Sequence, residues 1–171
     1  VSNVTSNTSY YVAGTIGTWE GPRTQDDIIV ETLSTDPSSL TPSSATLCSA
    51  GTVDFTITGG SLGTGATWEL YTGSCGGSLI GSSATGVFTG INVSATETYY
   101  ALANGNCNTT NCATTTVTLE TLSTDPSAAS ASNSSICSGD PVTLSVVGGN
   151  LGTGATWEWY SGTCGGTSVG S

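Results

Sequence analysis

Glu31 and Glu120, Cys48 and Cys137, Trp68 and Trp157, and Cys75 and Cys164 are pairs of identical residues, each pair 89 positions apart. "ETLSTDPS" stands at 31–38 and again at 120–127, and "GTGATWELYTGSCGG" at 63–77 returns as "GTGATWEWYSGTCGG" at 152–166. The register needs no gap. It extends toward the start, where "SYY" at 9–11 falls on "TYY" at 98–100 and "NVT" at 3–5 on "NVS" at 92–94. Self-similarity at a fixed period means that one folding unit is written more than once. The expectation is therefore a chain that begins and ends inside a unit: residues 1–31 as the back of a repeat, 32–120 as a whole repeat and 121–171 as the front of another.

Within the whole repeat the apolar residues alternate with polar ones, Val53, Phe55 and Ile57 in one run and Ala66, Trp68 and Leu70 in another. Period two marks half-buried strands. Gly-rich breaks ("TGGSLGTG", "TGSCGGS", "NGNCNTTN") separate these from "GVFTGINV", "TYYALA" and "ATTTVTL". About seven short strands with a Trp on the third predict an all-β immunoglobulin-like sandwich. The joint "TLETLSTDPS" leaves little room for a flexible linker, which favours a stiff array.

Composition narrows the chemistry. Arg23 is the one base in 171 residues, against twelve Asp or Glu and a formal net charge of −11. Phosphate backbones and anionic membranes are thus poor partners. The chain has no His and no Lys, so the commonest general base and Schiff-base chemistry are missing. Asp26 and Asp27 are sequence neighbours on one predicted strand and point to opposite faces, so with Glu20 they do not make a facing carboxylate pair. No catalytic residue and no cofactor is expected. No apolar run is long enough for a membrane span, and "VSNVTSNTSYY" has no signal-peptide pattern.

Six cysteines in small modules suit an oxidising, extracellular compartment. The N-terminal part has Thr18 and Arg23 where the whole repeat has Cys107 and Cys112, and the C-terminal part keeps Cys137 and Cys164 together. Joint loss and joint retention, with an up-and-down strand order, predict Cys48–Cys75, Cys137–Cys164 and Cys107–Cys112 bridges. A zinc site has no His or CxxC pair to complete it.

The W-x-W-Y-x-G-x-C-G-G block, the Tyr-Tyr strand and the C-N-T-T-x-C hairpin resemble the tandem Ig-like repeats of large cell-surface proteins of Bacteroidota. That resemblance implies a bacterial cell-surface or extracellular setting, with export by the type IX route and a sorting domain. It names no ligand. This sequence departs from it in carrying "TIGTWEGPRTQDD" instead of the first cysteine hairpin, and it shows no sorting domain.

The front part (51 residues) and the back part (31 residues) together fall seven positions short of one repeat. The front part alone would expose the apolar faces of Val142, Leu144, Val146, Trp157 and Trp159. The back part carries Val4, Tyr10, Tyr11, Val12, Ile28 and Val30, the strands needed to cover them. Strand addition from a second copy would build a head-to-tail homopolymer, a pilus-like fibre. Covalent continuation of a long repeat chain, as in an adhesin stalk, is the open alternative.

Three further readings stay open. Trp68, Trp157 and Trp159 are either core or a sugar-stacking platform, and Trp19 is either an exposed contact or a lid on its hairpin. Glu31, Asp36, Asp54, Glu120, Asp125 and Asp140 are either solvated acids or calcium ligands between domains, although no calcium-loop spacing matches. Asn3, Asn7, Asn92, Asn108 and Asn133 fit the N-x-S/T pattern and would carry any glycans.

Overall fold

The computed structural model describes residues 3–171. All regular elements among them are strands: β1 (Thr8–Val12), β2 (Thr15–Ile16), β3 (Trp19–Glu20), β4 (Thr24–Ile28), β5 (Ser39–Pro42), β6 (Thr46–Leu47), β7 (Gly51–Thr58), β8 (Thr67–Thr72), β9 (Ser78–Ser83), β10 (Val87–Val93), β11 (Glu97–Asn104), β12 (Ala113–Leu119), β13 (Ala128–Ala131), β14 (Leu144–Val147), β15 (Trp159–Ser161) and β16 (Thr167–Gly170). Strands β5 to β12 make a three-stranded sheet, β10-β7-β5, and a five-stranded sheet, β6-β12-β11-β8-β9. The remaining strands pair in twos: β1-β4, β2-β3, β13-β14 and β15-β16.

The chain divides into two compact units. The first contains residues up to Thr41, Phe55–Thr89 and Thr98–Thr115. Its core is Phe55, Trp68, Leu70, Tyr99 and Ala101, and the Phe55 and Tyr99 rings meet at 4.5 Å between centroids. The second contains Pro42–Asp54, Gly90–Glu97 and Thr116–Ser171, with Val53, Val93 and Val117 buried.

Alternation holds on β7, where Val53 and Phe55 are buried between exposed Thr52, Asp54 and Thr56. It fails on β11, where Ala101, Leu102 and Ala103 are buried in succession. That strand is the middle of the five-stranded sheet, between β12 and β8.

Local hydrogen bonds recur 89 residues on. Ser38 N–H donates to the Thr58 carbonyl and Ser127 N–H to that of Val147, both at 2.9 Å. The pairing of β8 with β9 shifts register between Leu70 and Tyr71, and that of β15 with β16 shifts between Trp159 and Tyr160. Gly63 and Gly152 occupy equivalent close approaches. A Cβ on Gly63 would overlap the Thr32 carbonyl oxygen and lie 2.7 Å from Leu33 C and Ser34 N, all backbone atoms with little room to yield. Gly63→Ala is expected to cost about 2–4 kcal/mol by forced displacement of this segment, read as a lower denaturant midpoint with an unchanged slope.

The cysteines pair differently from the sequence expectation. The disulfide joins Cys75 to Cys112 with Cα atoms 5.9 Å apart, and Cys48, Cys107, Cys137 and Cys164 are free and exposed. None of the bridges Cys48–Cys75, Cys107–Cys112 or Cys137–Cys164 is present. Joint retention misled because Cys137 and Cys164 both lie in the front half of the frame and stay together whatever they bond. The strand order is also not up-and-down: β7 and β8 belong to different sheets. Cys48 follows β6, which runs parallel to Thr118 and Leu119 at the end of β12, whereas Cys112 precedes its start. Seven residues of strand, roughly 20 Å at ~3.3 Å per residue, separate those ends.

Candidate functional site: two open sheet faces

Among the described residues β1 to β4 form a hairpin that pairs with neither of the two larger sheets. β1 and β4 pair from Thr8↔Ile28 to Val12↔Thr24, and β2 and β3 extend the ladder with Thr15↔Glu20 and Ile16↔Trp19. The tip is a two-residue turn that starts at Gly17, whose φ of 62° is open to glycine at little cost. Arg23 holds Glu20 with two hydrogen bonds, 2.7 and 3.0 Å, and the guanidinium lowers the Glu20 pKa. The Thr15↔Glu20 pair is the counterpart, 89 residues back, of the Asn104↔Thr109 bridge. The tip of the N-terminal hairpin therefore keeps the register of the turn between β11 and β12 despite losing both cysteines, and Gly21 N–H donates to the Gly14 carbonyl as Thr110 N–H does to that of Ala103.

Its side chains differ from those of β11 and β12 in burial. Tyr99, Ala101 and Val117 are 2%, 0% and 0% exposed, whereas the matching Tyr10, Val12 and Ile28 are 44%, 70% and 41% exposed. Val4, Tyr10, Asp26 and Ile28 line an open hollow of about 350 Å³ on this face. Val30 is half-buried, and its N–H is held by Asn7 Oδ1 at 2.8 Å.

Residues 121–171 have the complementary deficit. Val53 and Phe55 are 1% and 0% exposed, but the matching Val142 and Leu144 are 40% and 43% exposed. Val146, Trp157 and Trp159 are half-buried, although the counterpart of Trp159, Leu70, is fully buried. β13-β14 and β15-β16 are separate two-stranded ribbons. Ile136, Leu151, Tyr160 and Val169 add to the exposed apolar surface; sequence reading missed them, although Tyr160 and Val169 match Tyr71 and Ile80 of β8 and β9.

The polar candidates are occupied in local structure. The Asp36 carboxylate accepts from Asn111 Nδ2 at 2.8 Å and Asn111 N–H at 3.1 Å, and these bonds lower its pKa. Glu31 accepts from Asn106 and from the Cys107 thiol, whose pKa is raised mainly by that bond. Asp54 takes the Gly90 N–H and Asp140 the Cys137 N–H. Among the described residues no His, Cys, Asp and Glu side chains gather as a metal site. Of the glycosylation candidates, Asn3, Asn7, Asn92 and Asn133 are exposed, while the Asn108 amide bonds both the N–H and the carbonyl of Ser34. Trp68 is buried in the core, and Trp19 is 82% exposed beside the hollow at Ile16 and Gly21.

Tyr71 donates a short hydrogen bond to Glu69. Burial first, and then that bond and the carboxylate charge, push its pKa from 10.0 to about 12. A raised folded-state pKa makes this contribution complete below about pH 10 and lost as pH rises through about 12. Phenolate absorbance should show a late-titrating component that Tyr71→Phe diminishes and Glu69→Gln moves down.

Comparison with known proteins adds the family. The family model described as "Ig-like domain CHU_C associated" matches residues 36–121. The chain belongs to this Ig-like family. Among curated proteins there is no match. Of solved structures, the rat CD45 extracellular region, domains d3-d4, is similar at 14% identity and a TM-score of 0.38, over 68% of this chain and 66%, just under two thirds, of that one. Ig-like domains serve mainly as structural and binding modules. The Cys75–Cys112 bridge suits an oxidising, extracellular compartment. Among the described residues no helix is long and apolar enough to cross a membrane.

Proposed function

We propose that this Ig-like chain is the subunit of an extracellular structural filament, in which the N-terminal hairpin of one copy completes the open C-terminal sandwich of the next. One observation carries the reading: positions buried in residues 32–120 are 40–70% exposed in the parts that match them on either side. Open apolar faces and unpaired sheet edges attract strands. Tyr10, Val12, Ile28, Val142 and Leu144 are 40–70% exposed, so burying what remains of them, at ~1.5–3 kcal/mol per whole side chain, offers roughly 4–7 kcal/mol, against an association cost of about 4–15 kcal/mol. Ladder hydrogen bonds add to the gain. The contact uses different patches on the two copies and does not close on itself, so it propagates.

The setting is a bacterial cell surface or its surroundings, reached by type IX export. Sedimentation velocity and electron microscopy of the pure chain test the filament: assemblies that lengthen with concentration support it, and a monodisperse monomer overturns it in favour of the stalk of a long multi-repeat adhesin. A second reading, a carbohydrate-binding module, is favoured by the exposure of Trp19 alone. Glycan binding by the monomer that disappears in Trp19→Ala would establish it.

A further inference from the structure

We infer that the joint between copies has a fixed register and is a non-covalent version of the disulfide-tied sheet in residues 32–120; this rests on the filament reading above. In that sheet β11 pairs with β8 from Tyr99↔Thr72 through Ala101↔Leu70 to Asn104↔Thr67. The tip of the N-terminal hairpin keeps the register of the turn after β11, with Thr15↔Glu20 matching Asn104↔Thr109, and β15 and β16 keep the register of β8 and β9, bulge included. The 89-residue offset therefore assigns the contact between copies residue by residue. Tyr10 of one copy stands opposite Ser161 of the next, Tyr11 opposite Tyr160, Val12 opposite Trp159 and Thr15 opposite Thr156.

The same mapping explains the cysteines. Cys75 bonds Cys112, and their counterparts are Cys164 and Arg23. Cys164 is free and exposed, and Arg23 is exposed and held by Glu20. At the joint an arginine thus replaces the thiol that would have locked two copies together. The consequence is an assembly whose joints ignore reductant while the bridge inside each subunit does not.

Arg23→Cys restores the missing thiol. With glutathione disulfide as oxidant, the new thiol and Cys164 of the next copy lose their protons and two electrons to form one S–S bond, releasing two glutathione thiols. Thr18→Cys is the control, because its counterpart Cys107 is free. A third chain, Thr15→Cys with Thr156→Cys, probes the register through exposed positions that leave Arg23 intact.

The expected result is a ladder of covalent multimers from R23C and from the double variant on a non-reducing gel, collapsed by reductant, with T18C staying a single band. Filaments of the double variant that give no ladder would overturn the register and leave the filament reading standing. Failure of the unmodified chain to assemble would overturn that reading itself.

Discussion

Cutting the Cys75–Cys112 bridge, by reduction or by Cys112→Ala, is expected to lower the stability of residues 32–120 by about 2–4 kcal/mol. The bridge spans a separation of 37 residues, for which loop closure in the unfolded chain gives about 4 kcal/mol as an upper figure. For a domain of this size that is a fall of roughly 10–25 °C in Tm. The bond ties the β8-β9 turn to the start of β12, so it staples two non-adjacent strands of the five-stranded sheet across β11. Cys48→Ser and Cys107→Ser, at exposed free cysteines, should change stability by no more than ~0.5 kcal/mol. Calorimetry of the three variants with and without reductant decides the pairing. A large loss in Cys48→Ser with none in Cys112→Ala would restore the Cys48–Cys75 bridge.

Val12→Asp should abolish assembly while leaving the subunit folded. Val12 is 70% exposed, and a charge there costs the isolated chain little. Its counterpart Ala101 is fully buried, so in the completed sheet the carboxylate would be desolvated opposite an apolar strand with no partner. A buried unpaired charge costs several kcal/mol; a loss of about 3 kcal/mol or more weakens each joint over 100-fold. Circular dichroism unchanged from the unmodified chain, together with a monomeric sedimentation profile, is the expected pair of results. Filaments of V12D at the concentrations used for the unmodified chain would remove the N-terminal strand from the joint.

The all-β class and much of the core were legible in the sequence because the hydrophobic period is a local, additive signal. Val53, Phe55, Trp68 and Leu70 are core residues, as their spacing indicated. β11 was harder, since Ala101, Leu102 and Ala103 are buried in succession and break the alternation that marks a half-buried strand. The disulfide was misread because pairing is a property of the three-dimensional strand order: β8 and β12 are separated by β11 in one sheet, which no spacing along the chain encodes. The clamps of Asp36 on Asn111 and of Asn108 on Ser34 were likewise missed. They join residues more than seventy positions apart, and acids or amides near a joint carry no local mark of their partner.

The most direct measurement mixes two chains that each lack one half of the joint. Val12→Asp disables the donated strand, and Leu144→Asp disables the receiving face, where the matching Phe55 meets Tyr99. Sedimentation velocity of each alone should give monomers. An equimolar mixture should stop at a one-to-one dimer, in which the intact hairpin of the L144D chain fills the intact face of the V12D chain. Filaments from either variant alone, or a mixture that stays monomeric under conditions where the unmodified chain assembles, would contradict head-to-tail completion.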